Sequence, residues 1–172
     1  MATRKSVATI LYCSKGIFHP SFWARKALKN ILEDIRNATI ITTNDLSFQS
    51  LLESHHPDLL VLYFHEKTIE APDLRTLETY VQNGGAILAL HSASASFKQE
   101  KSYHHLLGGN FTHHGPITSY EIKPANTDIS ILGTDGAPFS IKDELYLHQY
   151  SDDVEILLAT QVTPAIIALI TS

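Results

Sequence analysis

Apolar positions follow two rhythms along this chain. Unbroken apolar or β-branched runs at residues 6–13 (SVATILYC), 39–43 (TIITT), 59–64 (LLVLYF) and 86–90 (AILAL) read as strands, the last two as strands buried on both faces. Between them the apolar residues recur at helical spacing. In residues 21–35 they are Ala27, Leu28, Ile31, Leu32 and Ile35, with Ser21 as N-cap. In 44–54 they are Leu46, Phe48, Leu51 and Leu52 behind an Asn44 or Asp45 cap; in 71–83 they are Leu74, Leu77, Tyr80 and Val81, with Pro72 at a tolerated early position. Gly84-Gly85 closes that third helix. Strand and helix in regular alternation predict βαβ units with right-handed crossovers and a mostly parallel sheet.

The fourth strand ends on His91, followed by the small residues Ser92 and Ala93. Ligands of open α/β sheets bind outside the carboxyl ends of the strands, which puts His91 where chemistry is expected, although capping of the next segment is an equally ordinary use of such a histidine. His19 lies at the corresponding end of the first strand. Beyond His91 the alternation stops. Residues 98–107 predict a short helix, 110–116 a loop carrying His113 and His114, and 117–123 a half-exposed strand. Turn clusters fill 124–140, and 154–159 and 165–170 read as two further strands. No linker or repeat interrupts the chain, so one domain is expected over residues 1–172.

Composition narrows the function classes. A net charge of −5 without a Lys/Arg cluster argues against a nucleic-acid groove, and no apolar run is long enough to span a bilayer. The N-terminus carries no signal-peptide core, and the single cysteine, Cys13, excludes an internal disulfide and suits a reducing compartment; a cytoplasmic protein is expected. Ten histidines are the compositional oddity, several in adjacent pairs of which one member at most should reach a common site. His55-His56 at a helix end, His65 in a charged loop and one of His104-His105 are read as ordinary surface or packing residues.

The ordered segments KGIFHPSF, YVQNGGAILALHSASASF, YHHLLGGNFTHHG and FSIKDELY resemble the ThuA-like, trehalose-utilisation family on the class I glutamine amidotransferase-like fold. The resemblance covers nearly the whole chain and implies a flavodoxin-like three-layer α/β/α sandwich. Amidotransferases of that fold carry a nucleophilic cysteine in the turn where this chain has His91, so glutamine amidotransfer is not expected. The family pattern falls on His19, His91, His114, Asp143 and Glu144. Two departures are visible: Thr127-Asp128 or nearby residues stand where relatives usually have His-Pro, and the sequence ends at Ser172 before the Gly-His strand that usually follows.

What the resemblance implies is work on a sugar or keto-sugar derivative, of hydrolase or isomerase type. His91, Glu144 and Asp143 are the expected catalytic residues, and Tyr146, Ser92 and His113 the expected substrate contacts. His19, His91, His114 and Glu144 form the set expected to hold a divalent metal such as zinc, since neutral imidazoles with a carboxylate suit that ion. Without metal the same groups are an acid–base set near neutral pH. The alternative is a non-catalytic sugar-binding or regulatory module on the same fold. The expected partner is a small sugar, with neither nucleic acid nor membrane; a homo-oligomer is allowed.

Overall fold

The computed structural model describes residues 7–16, 20–125 and 136–161. The chain divides between Asn110 and Phe111 into two compact units. The first holds β1 (Ala8–Lys15), α1 (Phe22–Glu33), β2 (Ala38–Thr43), α2 (Phe48–His55), β3 (Leu59–Phe64), α3 (Ala71–Gln82), β4 (Ala86–Ala89), a 3-10 turn at His91–Ala95 and α4 (Lys101–Leu106). Its strands form a parallel sheet in the order β2-β1-β3-β4. The alternating apolar runs and amphipathic helices therefore give the architecture they predict, with one reordering. A flavodoxin-like order allows the first and fourth strands to lie side by side, but here β3 stands between them.

Side-chain alternation along β1 and β3 splits the core in two. Leu11, Cys13, Leu60, Leu62 and Phe64 face Phe48, Leu51 and Leu52 of α2, Leu77 of α3 and Tyr103 of α4. Ile10, Tyr12 and Val61 face Leu28 and Leu32 of α1 on the other side. Helices thus cover both faces, as a parallel sheet requires. The expectation that β4 is buried on both faces does not hold: its exposure alternates and Leu88 is 43% exposed. Among the described residues β4 is an edge strand, and α1 packs towards β2 at the far side of the sheet.

Local signals explain the boundaries. Ser21 caps α1 by accepting from the Ala24 N–H (3.2 Å). The cap of α2 is Ser47 rather than Asn44 or Asp45; Asp45 Oδ1 instead accepts from the Ser47 N–H (3.0 Å) and hydroxyl (2.7 Å), so the helix starts later than expected. At the end of α3, Gly84 takes φ +91° and the Gly84 and Gly85 N–H groups return to the carbonyls of Val81 and Tyr80, which is a Schellman closure.

In the second unit β6 (Thr118–Pro124) pairs antiparallel with β7 (Phe139–Asp143) and with β9 (Leu158–Ala159). A second pairing joins β5 (Gly109–His114) to β8 (Tyr146–Tyr150). The stretch 110–116, expected as a loop, is therefore largely strand. Residues 154–159 contribute only the two-residue β9, and the strand expected at 165–170 lies outside the described residues, as do Thr127-Asp128. No described helix is long and apolar enough to cross a membrane.

Candidate functional site

β5 and β8 bring the second unit's chemistry-bearing side chains together. Thr112 Oγ1 donates to the Leu147 carbonyl (2.9 Å) across the pair. Beside it Phe111 packs on Tyr146 with ring centroids 4.5 Å apart, and His114 stacks on the same tyrosine at 5.3 Å with only 8° between the planes. His148, two residues beyond Tyr146 on the same strand face, meets Phe111 edge-on at 6.1 Å.

The imidazole of His114 is oriented at both ends. Its Nδ1 lies 2.7 Å from the Gly115 carbonyl, which can only accept, so Nδ1 is the donor there and in the neutral imidazole the lone pair is on Nε2. That Nε2 is 3.9 Å from Glu144 Oε1, with the two side chains 37% and 20% exposed. The separation is too long for a direct hydrogen bond and short enough for both groups to reach one intervening ligand atom. Glu144 is itself held by its backbone: its N–H donates to Asp143 Oδ1 (2.8 Å) and its carbonyl accepts from the Tyr120 hydroxyl (3.3 Å). Partial desolvation lowers the pKa of His148, against an opposing backbone hydrogen bond at Tyr146, and so favours its neutral form.

His91 belongs to the first unit and sits at the carboxyl end of β4 in the left-handed region, φ +50°. Its ring lies edge-on to Tyr63 (6.3 Å), and its carbonyl accepts from the Ser94 hydroxyl (2.9 Å). A non-glycine residue in that conformation on a strand-to-helix turn is strained, and such turns project a side chain from the sheet edge. Ser92 next to it is 2% exposed, and its hydroxyl finds no hydrogen-bond partner among the described residues. Asp143 caps the turn before Glu144. His113 is exposed and donates from Nδ1 to Thr112 Oγ1 (3.1 Å). His19 lies outside the described residues.

For the expected metal set, the described residues join two donors, His114 and Glu144. No group of three His, Cys, Asp or Glu side chains suited to an ion occurs among them. The hydrogen bond from His114 Nδ1 to a carbonyl is the outer contact that ligating histidines use, so this pair fits part of such a site. Cys13 is fully buried in β1, where desolvation pushes its thiol up to about 12, far from a thiolate nucleophile. Two members of the aromatic cluster, Phe111 and His148, are not marked as site residues by the sequence pattern. The signal for them is placement: Tyr146 and His148 alternate on one strand, and Phe111 leads the FxxH spacing to His114.

A family model described as trehalose utilisation (ThuA) matches residues 8–166. Among solved structures the chain is similar to a ThuA-like protein from Bacteroides uniformis ATCC 8492 (TM-score 0.70, 18% identity, 94% of this chain and 71% of that one). It is equally similar to a ThuA-like protein from Parabacteroides merdae ATCC 43184 (TM-score 0.70, 18% identity, 91% and 68%). A GMP synthase component from Thermoplasma acidophilum follows at TM-score 0.52 and 13% identity, covering 91% and 75%. At these identities the likeness is one of fold, that of the glutamine amidotransferase-like proteins. No curated protein sequence matches the chain.

Proposed function

The chain belongs to the ThuA, trehalose-utilisation family, and from that premise we propose that it converts a sugar or keto-sugar derivative at the His114–Glu144 pair. The observation that carries the reading is the orientation of His114. Tyr146 stacks on the ring, the Gly115 carbonyl accepts from Nδ1, and Nε2 is left facing a carboxylate oxygen at 3.9 Å.

Two proton-accepting groups at that spacing suit a substrate that brings its own proton. A sugar hydroxyl between them donates to one, and the other takes up or returns a proton at the neighbouring carbon or oxygen. This is general acid–base catalysis of isomerase or hydrolase type, with His114 as the mobile proton carrier and Glu144 stabilising the imidazolium that forms. Asp143 acts as a positioning residue by holding the Glu144 backbone. Tyr150, 60% exposed on the same strand face as Tyr146, offers an aromatic surface to a sugar ring. A zinc ion held by His114 and Glu144 would polarise a carbonyl or hydroxyl of the sugar. We place the activity in the cytoplasm, in line with a single buried thiol.

The test is incubation of the purified chain with trehalose and an oxidised (keto) trehalose, with product analysis by NMR, in parallel with His114→Ala. Conversion of the keto-sugar that the variant loses supports the proposal. Sugar binding without turnover, with the variant binding equally well, supports the sugar-binding module instead.

A further inference from the structure

A different feature of the first unit is shaped for an anion. At the carboxyl ends of β1 and β2 a crevice of about 600 Å³ opens beside α1. Helical spacing puts Phe22, Arg25, Lys26 and Lys29 of α1 along it, because positions three, four and seven apart share one face. Opposite stand Thr42, Thr43 and Asn44 at the end of β2, all short hydrogen-bonding side chains. The floor is polar yet buried: Tyr12 is 1% exposed, and its hydroxyl donates to the Arg25 carbonyl (3.3 Å), which ties α1 to β1.

The charge of this crevice opposes that of the chain. The sequence carries a net −5, yet among the described residues the lining holds three cations and no carboxylate. Lys29 shares its charge with Glu33 at 3.3 Å in an exposed i,i+4 pair. Neither Arg25 nor Lys26 has a carboxylate partner among the described residues. The Nε of Arg25 is buried and finds no acceptor there, and a buried charged donor without an acceptor is costly to keep. An oxyanion in the crevice removes that cost. A planar guanidinium flanked by two ammonium groups matches a dianionic tetrahedral group better than a single carboxylate, and the carboxyl edge of a parallel sheet is where such folds bind ligands.

We propose that this crevice binds the phosphoryl group of a small phosphate monoester, with Arg25 and Lys26 as the principal anchors and Phe22 at the rim beside the organic part. The proposal does not depend on the His114–Glu144 pair.

Calorimetric titration of the full chain with inorganic phosphate, glucose 6-phosphate, AMP and neutral glucose tests it. The expected result is binding of the phosphate-bearing compounds that weakens with added salt and is reduced about tenfold or more in Arg25→Gln. Lys26→Gln, at an exposed position, should weaken binding without disturbing the fold, which guards against a misfolded Arg25 variant. Preference for glucose 6-phosphate or for AMP then identifies the organic part, and equal binding of all three shows that the phosphoryl group alone is recognised. Absence of binding by every phosphate compound, or affinities unchanged in both variants, overturns the proposal. His114→Ala should leave phosphate affinity intact, so failure here and failure of the sugar reading are distinguishable.

Discussion

His114 and Tyr146 lie ring on ring, 5.3 Å between centroids and 8° from parallel, and this stack aims an imidazole nitrogen at Glu144 Oε1. The tyrosine therefore acts through the histidine. A phenylalanine at 146 preserves the stack, whereas an alanine removes it and leaves the ring held by the Gly115 carbonyl and the tilted contact with Phe111 (5.9 Å).

Tyr146→Phe is expected to retain turnover of the keto-sugar within a few-fold. Tyr146→Ala should lower kcat by about 10²-fold, the lower end of what a positioned acid–base group contributes. His114→Ala and Glu144→Gln should fall by about 10²–10⁴-fold. Because His114 is 37% exposed, its removal should change stability by less than about 1 kcal/mol in a urea melt. Equal losses for Tyr146→Phe and Tyr146→Ala would show that the phenol, not the stack, matters.

Cys13 makes a prediction at alkaline pH. Burial raises its thiol from 9.0 to about 12, so above pH 9 the unfolded chain releases a proton that the folded chain still holds. The stabilisation is full below 9 and is lost as pH rises from 9 towards 12. The raised pKa of the buried Tyr103 acts in the same direction. Cys13→Ala should flatten part of this alkaline limb in thermal melts, leave activity per folded molecule unchanged, and the native thiol should resist alkylation until urea unfolds the chain. Rapid labelling of the native protein would contradict the burial argument.

The close of α3 is rigid for two separate reasons, and its two glycines should respond differently. Gly84 has open space around it but a φ of +91°, so Gly84→Ala is expected to cost about 1 kcal/mol of backbone strain. Gly85 has no such φ, yet a Cβ there would run into the Tyr80 ring, whose hydroxyl reaches the carbonyls of Pro57 and Ala86. Gly85→Ala should therefore be the more damaging in a denaturant melt, and Gly85→Ala combined with Tyr80→Leu should recover part of that loss.

The first unit was legible because its signals are local. Capping by Ser21, the Pro72 start of α3 and the Gly84-Gly85 stop are written in neighbouring residues, and period-two and helical patterns place each element within a few residues. What could not be read was which elements are neighbours. The edge position of β4 depends on strand order, and nothing in AILAL distinguishes an edge from a centre. The same holds for β5: NFTHH lacks apolar alternation, and only its pairing with β8 makes it a strand. His114 and Glu144 carry the family pattern together with His19, His91 and Asp143, and nothing in the sequence singles out those two as a pair, whereas the packing of Phe111 and His148 around Tyr146 is a tertiary contact with no local mark. The crevice cations were hidden by composition, since three basic residues on one helix face vanish in an acidic total.

His91 is an expected site residue in a strained turn, and its substitutions separate strain from function. At φ +50° any residue with a Cβ pays a steric penalty at the end of β4, and glycine does not. His91→Ala keeps that strain and loses the ring's contacts, the edge contact with Tyr63 among them, so its stability should fall below that of the parent. His91→Gly relieves the strain and should be the more stable of the two variants by up to about 1 kcal/mol, read as a shift in the urea midpoint with an unchanged slope. If the imidazole serves the reaction, both variants lose turnover of the keto-sugar although one of them is stabilised. A strained functional residue is expected to behave in that way. Should His91→Gly melt earlier than His91→Ala, the turn is not strained; should both variants keep full turnover, the case for a functional residue there fails and His91 only links β4 to the turn that follows.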